Sequence, residues 1–163
     1  MGKAKLAKTL GVDDIAAAEI MEIYHGRAPF IKELFNKAMH KAQTTGFVKT
    51  ILGRKGRFNE MEKKFYGEGM QRAHTHKALN IVLQGSCGDL LKTSMVGIWE
   101  AGLIAEDFDL YLTEHDELDG AVIPGKIGEE KLAEVSHIME NAIKLEVPIK
   151  VDSGVGANWA EAH

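Results

Sequence analysis

Phe108-Asp109-Leu110-Tyr111-Leu112-Thr113-Glu114-His115-Asp116-Glu117-Leu118-Asp119-Gly120-Ala121-Val122-Ile123 places apolar residues on both sides of an acidic centre. Phe108, Leu110 and Leu112 alternate with Asp109, Tyr111 and Thr113, the period of a half-buried strand. A polar centre interrupts, a second apolar stretch runs from Leu118 to Ile123, and Pro124-Gly125 ends it. The pattern predicts a hairpin with Thr113-Glu114-His115-Asp116-Glu117 at its tip. Clustered carboxylates repel, so such a tip is either well solvated or neutralised by a cation. Hard oxygen ligands suit Mg²⁺, which takes one or two protein carboxylates together with substrate phosphates. Adjacent strand residues point to opposite faces, which makes Asp116 the expected direct ligand and Glu117 its neighbour. Solvated surface turns carry the same residues, and the tripeptide alone does not choose between the two.

Working outward, the flanking sequence reads mostly as helix. Lys3 to Leu10 predicts a short helix stopped by Gly11. Asp13 or Asp14 caps a second, running to about His25 and ended by Gly26. Pro29 opens a third, in which Phe30, Leu34, Ala38 and Ala42 recur every four residues up to Gly46. Residues 47–52 alternate weakly and suggest a short strand or an extended segment, followed by a basic turn, Gly53-Arg54-Lys55-Gly56-Arg57. From Glu68 to about Leu103 the helical period returns, with Leu79, Leu83, Leu90 and Ser94 along one side. Lys77, Asn80 and Gln84 share another side. A further helix is expected over Glu129 to Lys144, and a last strand over Val147 to Val151. The class is α+β: N-terminal helices, a long helix, then a small antiparallel sheet carrying the acidic hairpin and one covering helix.

The 163 residues, 45% of them hydrophobic, suffice for an ordinary core. No apolar run is long enough for a membrane helix and no signal-peptide pattern opens the chain, so a cytoplasmic protein is expected. The single cysteine, Cys87, excludes an internal disulfide and fits a reducing compartment. Charge is unevenly spread: residues 1–78 hold 15 Lys/Arg against 8 Asp/Glu, residues 79–163 hold 5 against 16. A basic half can meet phosphates while an acidic half holds cations or faces solvent. His74 and His76, two apart on an expected helix, point different ways and have no thiolate partners for zinc. Trp159 reads as a packing anchor for the terminal segment.

Ala78 to Lys92 (ALNIVLQGSCGDLLK), His-Asp-Glu-Leu at 115–118 and the closing Gly-x-Asn-Trp-x-x-x-His together resemble the C-terminal portion of family A DNA polymerases, phage-like members included. The likeness extends upstream through Gly46-Phe47-Val48-Lys49-Thr50-Ile51-Leu52-Gly53-Arg54 to Met1-Gly2, so it covers nearly the whole chain. It implies that residues 1–67 are the end of the fingers and residues 68–163 the part of the palm carrying motif C. It also assigns roles. Asp116 becomes one of two aspartates holding a pair of Mg²⁺ ions for nucleotidyl transfer, with Glu117 in support. His115, Gln84 and Asn80 match residues on the minor-groove side of the primer-template duplex, where correctly paired bases present nearly equivalent acceptors. Arg54, Lys55 and Arg57 would lie along phosphates. His76 and Lys77 stand where many members have Arg. The implied ligands are primer-template DNA and a dNTP.

The family's second metal-binding aspartate, motif A, and the nucleotide-gripping Lys and Tyr of motif B have no counterpart in these residues. The chain is therefore expected to be inactive alone and to work with one or more chains bearing motifs A and B, as in a split viral polymerase. A truncation or a degenerate remnant gives the same start, and the intact His-Asp-Glu favours a working piece. The competing readings are a non-catalytic nucleic-acid-binding or structural remnant and a small metal-dependent hydrolase. The latter lacks a second carboxylate cluster. Proofreading, processivity and the choice of DNA or RNA template are not written in these residues.

Overall fold

The computed structural model describes residues 2–104 and 108–162. It is an α+β chain whose strands, among the described residues, form three separate two-stranded antiparallel ladders, and it divides into two compact units. Met1 and His163, at the two ends of the family likeness, lie outside the described residues.

The first unit begins with helix α1 (Lys3–Leu10), stopped by Gly11 in the left-handed conformation as its position predicts. Helix α2 (Asp14–Arg27) is capped by Asp13, whose Oδ1 accepts from the amides of Ile15 at 3.0 Å and Ala16 at 2.8 Å. The expected stop at Gly26 is not used. The helix runs one residue further and ends at Ala28 (φ −133°), which precedes Pro29 and is thereby pushed out of the helical region. Pro29 opens helix α3 (Pro29–Thr45), and left-handed Gly46 closes it.

Of the stretch 47–52, expected as a short strand or an extended segment, Phe47–Lys49 form strand β1, and three of the five residues of the expected basic turn are its partner, β2 (Lys55–Arg57). A larger departure follows. The helix expected from Glu68 starts only at Ala78, because Gly67 (φ 79°), Gly69 (φ 106°) and His74 (φ 59°) hold backbone conformations no helix contains. Residues 61–72 instead make a hairpin of β3 (Met61–Lys63) and β4 (Met70–Arg72), and a 3₁₀ turn over Thr75–Lys77 leads into helix α4 (Ala78–Glu100). Gln43 of α3 fastens this hairpin: its Nε2 donates to the Arg72 carbonyl (2.8 Å) and Thr75 Oγ1 (2.9 Å), and its Oε1 accepts from the Arg72 amide (2.9 Å). The unit's small core gathers Ala42, Val48, Phe58 and Ala78 with Ile81 and Val82 at its edge.

The second unit contains residues 50–52, α4 from Leu83 onward and everything after it. Ser86 Oγ and Asp89 Oδ2 of α4 accept from the amides of Ile51 (3.0 Å) and Leu52 (3.4 Å) and hold that short segment. The buried line of α4 here is Leu91, Ser94 and Ile98, spaced by three and four, whereas Leu83 is 52% exposed rather than packed. Leu91 and Ile98 form a core with Leu103, Phe108, Val135 and Met139. Phe108 starts β5 (Phe108–Glu114), which pairs with β6 (Glu117–Val122) in the hairpin that alternation predicted. Helix α5 (Lys126–Asn141) starts a turn earlier than expected, just after Gly125 (φ 93°). Its Gly128 sits so close to the Ile123 carbonyl that a Cβ would lie 1.9 Å away.

The strand expected over Val147 to Val151 is absent from the described ladders. Pro148 has no N–H to give a ladder, and the Val151 amide donates to the Glu140 side chain (3.2 Å) instead. Trp159, in the terminal helix α6 (Trp159–Ala162), is 60% exposed and does not anchor by burial. Glu161 ties the segment instead, accepting from the Ala157 amide (3.1 Å) and from Asn158 Nδ2 (2.8 Å). No described helix is long and apolar enough to cross a membrane.

Candidate functional site

The register Glu114↔Glu117 makes the β5–β6 turn two residues long, His115 and Asp116. Glu117 is the first residue of β6, so the acidic tripeptide spans a turn and a strand start. His115 takes φ 51°, a left-handed position open to few residues with a Cβ. Its side chain is 88% exposed, with Nε2 3.4 Å from a Glu114 carboxylate oxygen. Asp116 and Glu117 are exposed, and Asp116 makes no hydrogen bond or ion pair among the described residues. An unengaged carboxylate held out on a two-residue turn is the donor a hard divalent cation needs. Among the described residues no group of three or more His, Cys, Asp or Glu is placed to hold a metal. The donor set thus fits a share in a Mg²⁺ site, with further ligands coming from elsewhere.

The hairpin's construction favours this display. Gly120 pairs with Leu110, and a Cβ there would sit 2.1 Å from the Asp109 carbonyl oxygen. Only glycine lets the strands approach so closely, next to the register shift between Leu110 and Leu112. Neither outer edge of the ladder carries another strand among the described residues, and Tyr111 (67%) and Leu112 (53%) are exposed. Open strand edges and exposed apolar side chains of this kind suit further strands or a partner surface.

Asn80 and Gln84 lie four residues apart on α4, both exposed, as their spacing predicts. Lys77 belongs to the preceding 3₁₀ turn. His74 and His76 also precede α4: His74 lies 3.4 Å from Glu60, and the two imidazoles meet edge to face at 6.2 Å.

In the first unit Lys55 and Arg57 of the expected basic turn lie in the β1–β2 ribbon, and Arg54 precedes it, exposed and outside the strand. Gly56 turns toward Ile81, whose Cγ2 would lie 2.3 Å from an added Cβ. Strand alternation therefore puts Lys55 and Arg57 on the opposite, exposed face, beside their partners Lys49 and Phe47. Lys55 Nζ stands 4.8 Å from the Phe47 ring centre. Beneath lies an open hollow of about 380 Å³ lined by Ala38, Lys41, Phe47, Val48, Lys49 and Val82. Phe47 and Lys49, which the expected basic turn does not include, stand on the same face as Lys55 and Arg57. The period of two over 47–49 and 55–57 was the available signal.

Comparison with known proteins places the chain in a family. The chain is 32% identical over 162 residues to a thermostable DNA polymerase I of Thermus filiformis, covering 99% of this chain and 19% of that protein. It is 34% identical over 143 residues to a DNA-directed DNA polymerase of Pseudomonas phage M6, covering 88% of this chain and 19% of that one. Among solved structures, the POL domain of Pol1 from M. smegmatis, in complex with DNA primer-template and dNTP, superposes with a TM-score of 0.82. That match has 29% identity and covers 99% of this chain and 28% of the other. The chain thus spans less than a fifth of the length of these curated relatives. The family model for DNA polymerase family A matches residues 1–161, and the chain belongs to that family.

Proposed function

We propose that this chain is the motif C portion of a template-directed DNA polymerase, with residues 1–67 ending the fingers and residues 68–163 forming the palm part that carries the acidic hairpin. The observation that carries the reading is Asp116, exposed and unengaged on a two-residue turn between Glu114 and Glu117. Asp116 holds Mg²⁺ through its carboxylate, and Glu117 supports it from the adjoining strand start. When bound with a second aspartate, paired Mg²⁺ ions activate the primer 3′-hydroxyl and stabilise charge on the phosphates. His115, Gln84 and Asn80 sense the minor-groove edge of the terminal pairs, whose acceptors are nearly sequence-independent. Arg54, Lys55 and Arg57, joined by Lys49, follow backbone phosphates in a salt-dependent manner.

Among the described residues no group of three or more His, Cys, Asp or Glu is placed to hold a metal, and the ladder that carries Asp116 has open edges. The proposal therefore places the second aspartate and the dNTP-gripping side chains on one or more partner chains, without which this one is inactive, in the cytoplasm of a cell or of a viral host. The test replaces Asp116 with Ala in a complex reconstituted with chains bearing motifs A and B. Nucleotide incorporation should be abolished while primer-template binding persists. Incorporation at the wild-type rate by Asp116→Ala would remove the catalytic role.

A further inference from the structure

The β3–β4 hairpin ends in Phe65-Tyr66-Gly67, and these two aromatic side chains are 84% and 93% exposed. No other exposed large apolar residue among those described reaches 80%. Met61 (51%) and Met70 (53%) extend the exposed surface along the same hairpin. The register pairs Lys63 with Met70 and Met61 with Arg72, so alternation places Met61, Lys63 and Met70 on one face and Glu62 with Gln71 on the other.

The charges around the tip are sorted as well. Glu62 accepts from Gln71 Nε2 (3.0 Å), and Glu60 faces His74 (3.4 Å). Arg72 is turned inward, its Nη1 donating to the Phe58 carbonyl (2.9 Å) and its Nε to that of Gln43 (3.2 Å). What remains at the aromatic end is Lys63 and Lys64, both exposed and without an ion pair among the described residues, against the single exposed carboxylate of Glu68. Two lysines preceding two adjacent exposed rings, in the half of the chain that carries the excess of positive charge, match the needs of an unpaired nucleic-acid strand. Rings stack on bases regardless of sequence, and ammonium groups meet the phosphates between them.

We propose that the β3–β4 tip is a stacking platform for unpaired bases of a single-stranded overhang, with Phe65 and Tyr66 as the stacking surfaces and Lys63 and Lys64 as phosphate contacts. This rests on the reading of the chain as a nucleic-acid polymerase piece and adds a single-strand contact to it. The tip lies outside the fold's core, so its residues can be changed without loss of structure, as circular dichroism of each variant will check.

The experiment measures binding of the full 163-residue chain to three fluorescein-labelled DNAs: a blunt duplex, the same duplex with a ten-base 5′ overhang, and the single strand. Wild type should prefer the overhang and the single strand to the blunt duplex. Stacking changes affinity by roughly fivefold to a hundredfold per base, so Phe65→Ala/Tyr66→Ala should lose at least about fivefold on both single-stranded probes and nothing on the blunt duplex. Phe65→Leu/Tyr66→Leu should bind as poorly as the Ala pair, because Leu is apolar but cannot stack. A 2-aminopurine in the overhang should change its emission with wild type and not with the Ala pair. Equal binding by wild type and the Ala pair, no binding of wild type to any single strand, or full retention by the Leu pair would overturn the proposal, the last because it marks an apolar protein contact. Asp116→Ala separates the two readings: overhang binding should persist in that variant whether or not incorporation depends on Asp116.

Discussion

Replacing Gly120 with Ala probes the hairpin that presents Asp116. The added Cβ would lie 2.1 Å from the Asp109 carbonyl oxygen, 3.1 Å from its carbon and 3.4 Å from Leu110 Cα. All three are backbone atoms, so no side chain can swing aside, and the strands must part by about 1 Å to restore an ordinary contact. Overpacking against a fixed surface costs about 1–3 kcal/mol, and the rigid partner puts this case near 3 kcal/mol. The chain has two compact units that need not unfold together, so a local measurement is the right one. Amide hydrogen exchange in the β5–β6 ladder should speed up by roughly 30- to 150-fold, the equivalent of about 2–3 kcal/mol. Gly26→Ala serves as the opposite control: nothing lies within 4 Å of its Cβ position inside α2, and the change should stabilise that helix by about 0.5–1 kcal/mol. Exchange in the ladder altered by less than about threefold in Gly120→Ala would refute the reasoning, because it would mean the strands tolerate a side chain there.

Gln43→Ala removes three hydrogen bonds and leaves the part-buried Arg72 amide without its acceptor; a loss of about 1–3 kcal/mol from the first unit is expected in urea unfolding, and a change below about 0.5 kcal/mol would show that water replaces the side chain freely. Asp13→Ala should cost α2 about 1 kcal/mol while Asp13→Ser keeps most of it, as read by thermal melting; equal melting of both variants would discount the cap. The Val151 amide donating to Glu140, with Lys150 beside it, holds the Glu140 carboxyl below its ordinary value of 4.5. A lowered folded value means this contact's contribution is present above about pH 4.5 and is lost as pH falls through the lower value. An NMR titration of the Val151 amide should show a midpoint below 4.5 that Glu140→Gln abolishes, and a midpoint at or above 4.5 would contradict the contact.

Local chemistry made much of the molecule legible. Gly11 and Gly46 close helices because left-handed backbone suits glycine, Asp13 caps because its carboxylate reaches amides two and three residues on, and Pro29 opens α3. The acidic hairpin was readable because strand alternation on both sides of the polar centre is itself a local signal, and with it came the exposure of His115, Asp116 and Glu117. The spacing of Asn80 and Gln84 needed only an unbroken helix.

Residue order alone thus set where helices start and stop at strong caps and that an acidic turn joins two strands. Tertiary structure alone decided the rest, since those features depend on residues distant in the chain. Residues 68–77 carry a helical period, yet pairing with residues 61–63 and the grip of Gln43 won over it, at the cost of left-handed backbone at His74. Residues 147–151 have the composition of a strand, but with Pro148 in the run, Glu140 captured the Val151 amide first. The basic residues at 54–57 gained a defined face only when Gly56 turned against Ile81 and brought Lys49 and Phe47 alongside. Periodicity reports which side chains share a face; which partner that face meets is fixed by packing between segments far apart in sequence.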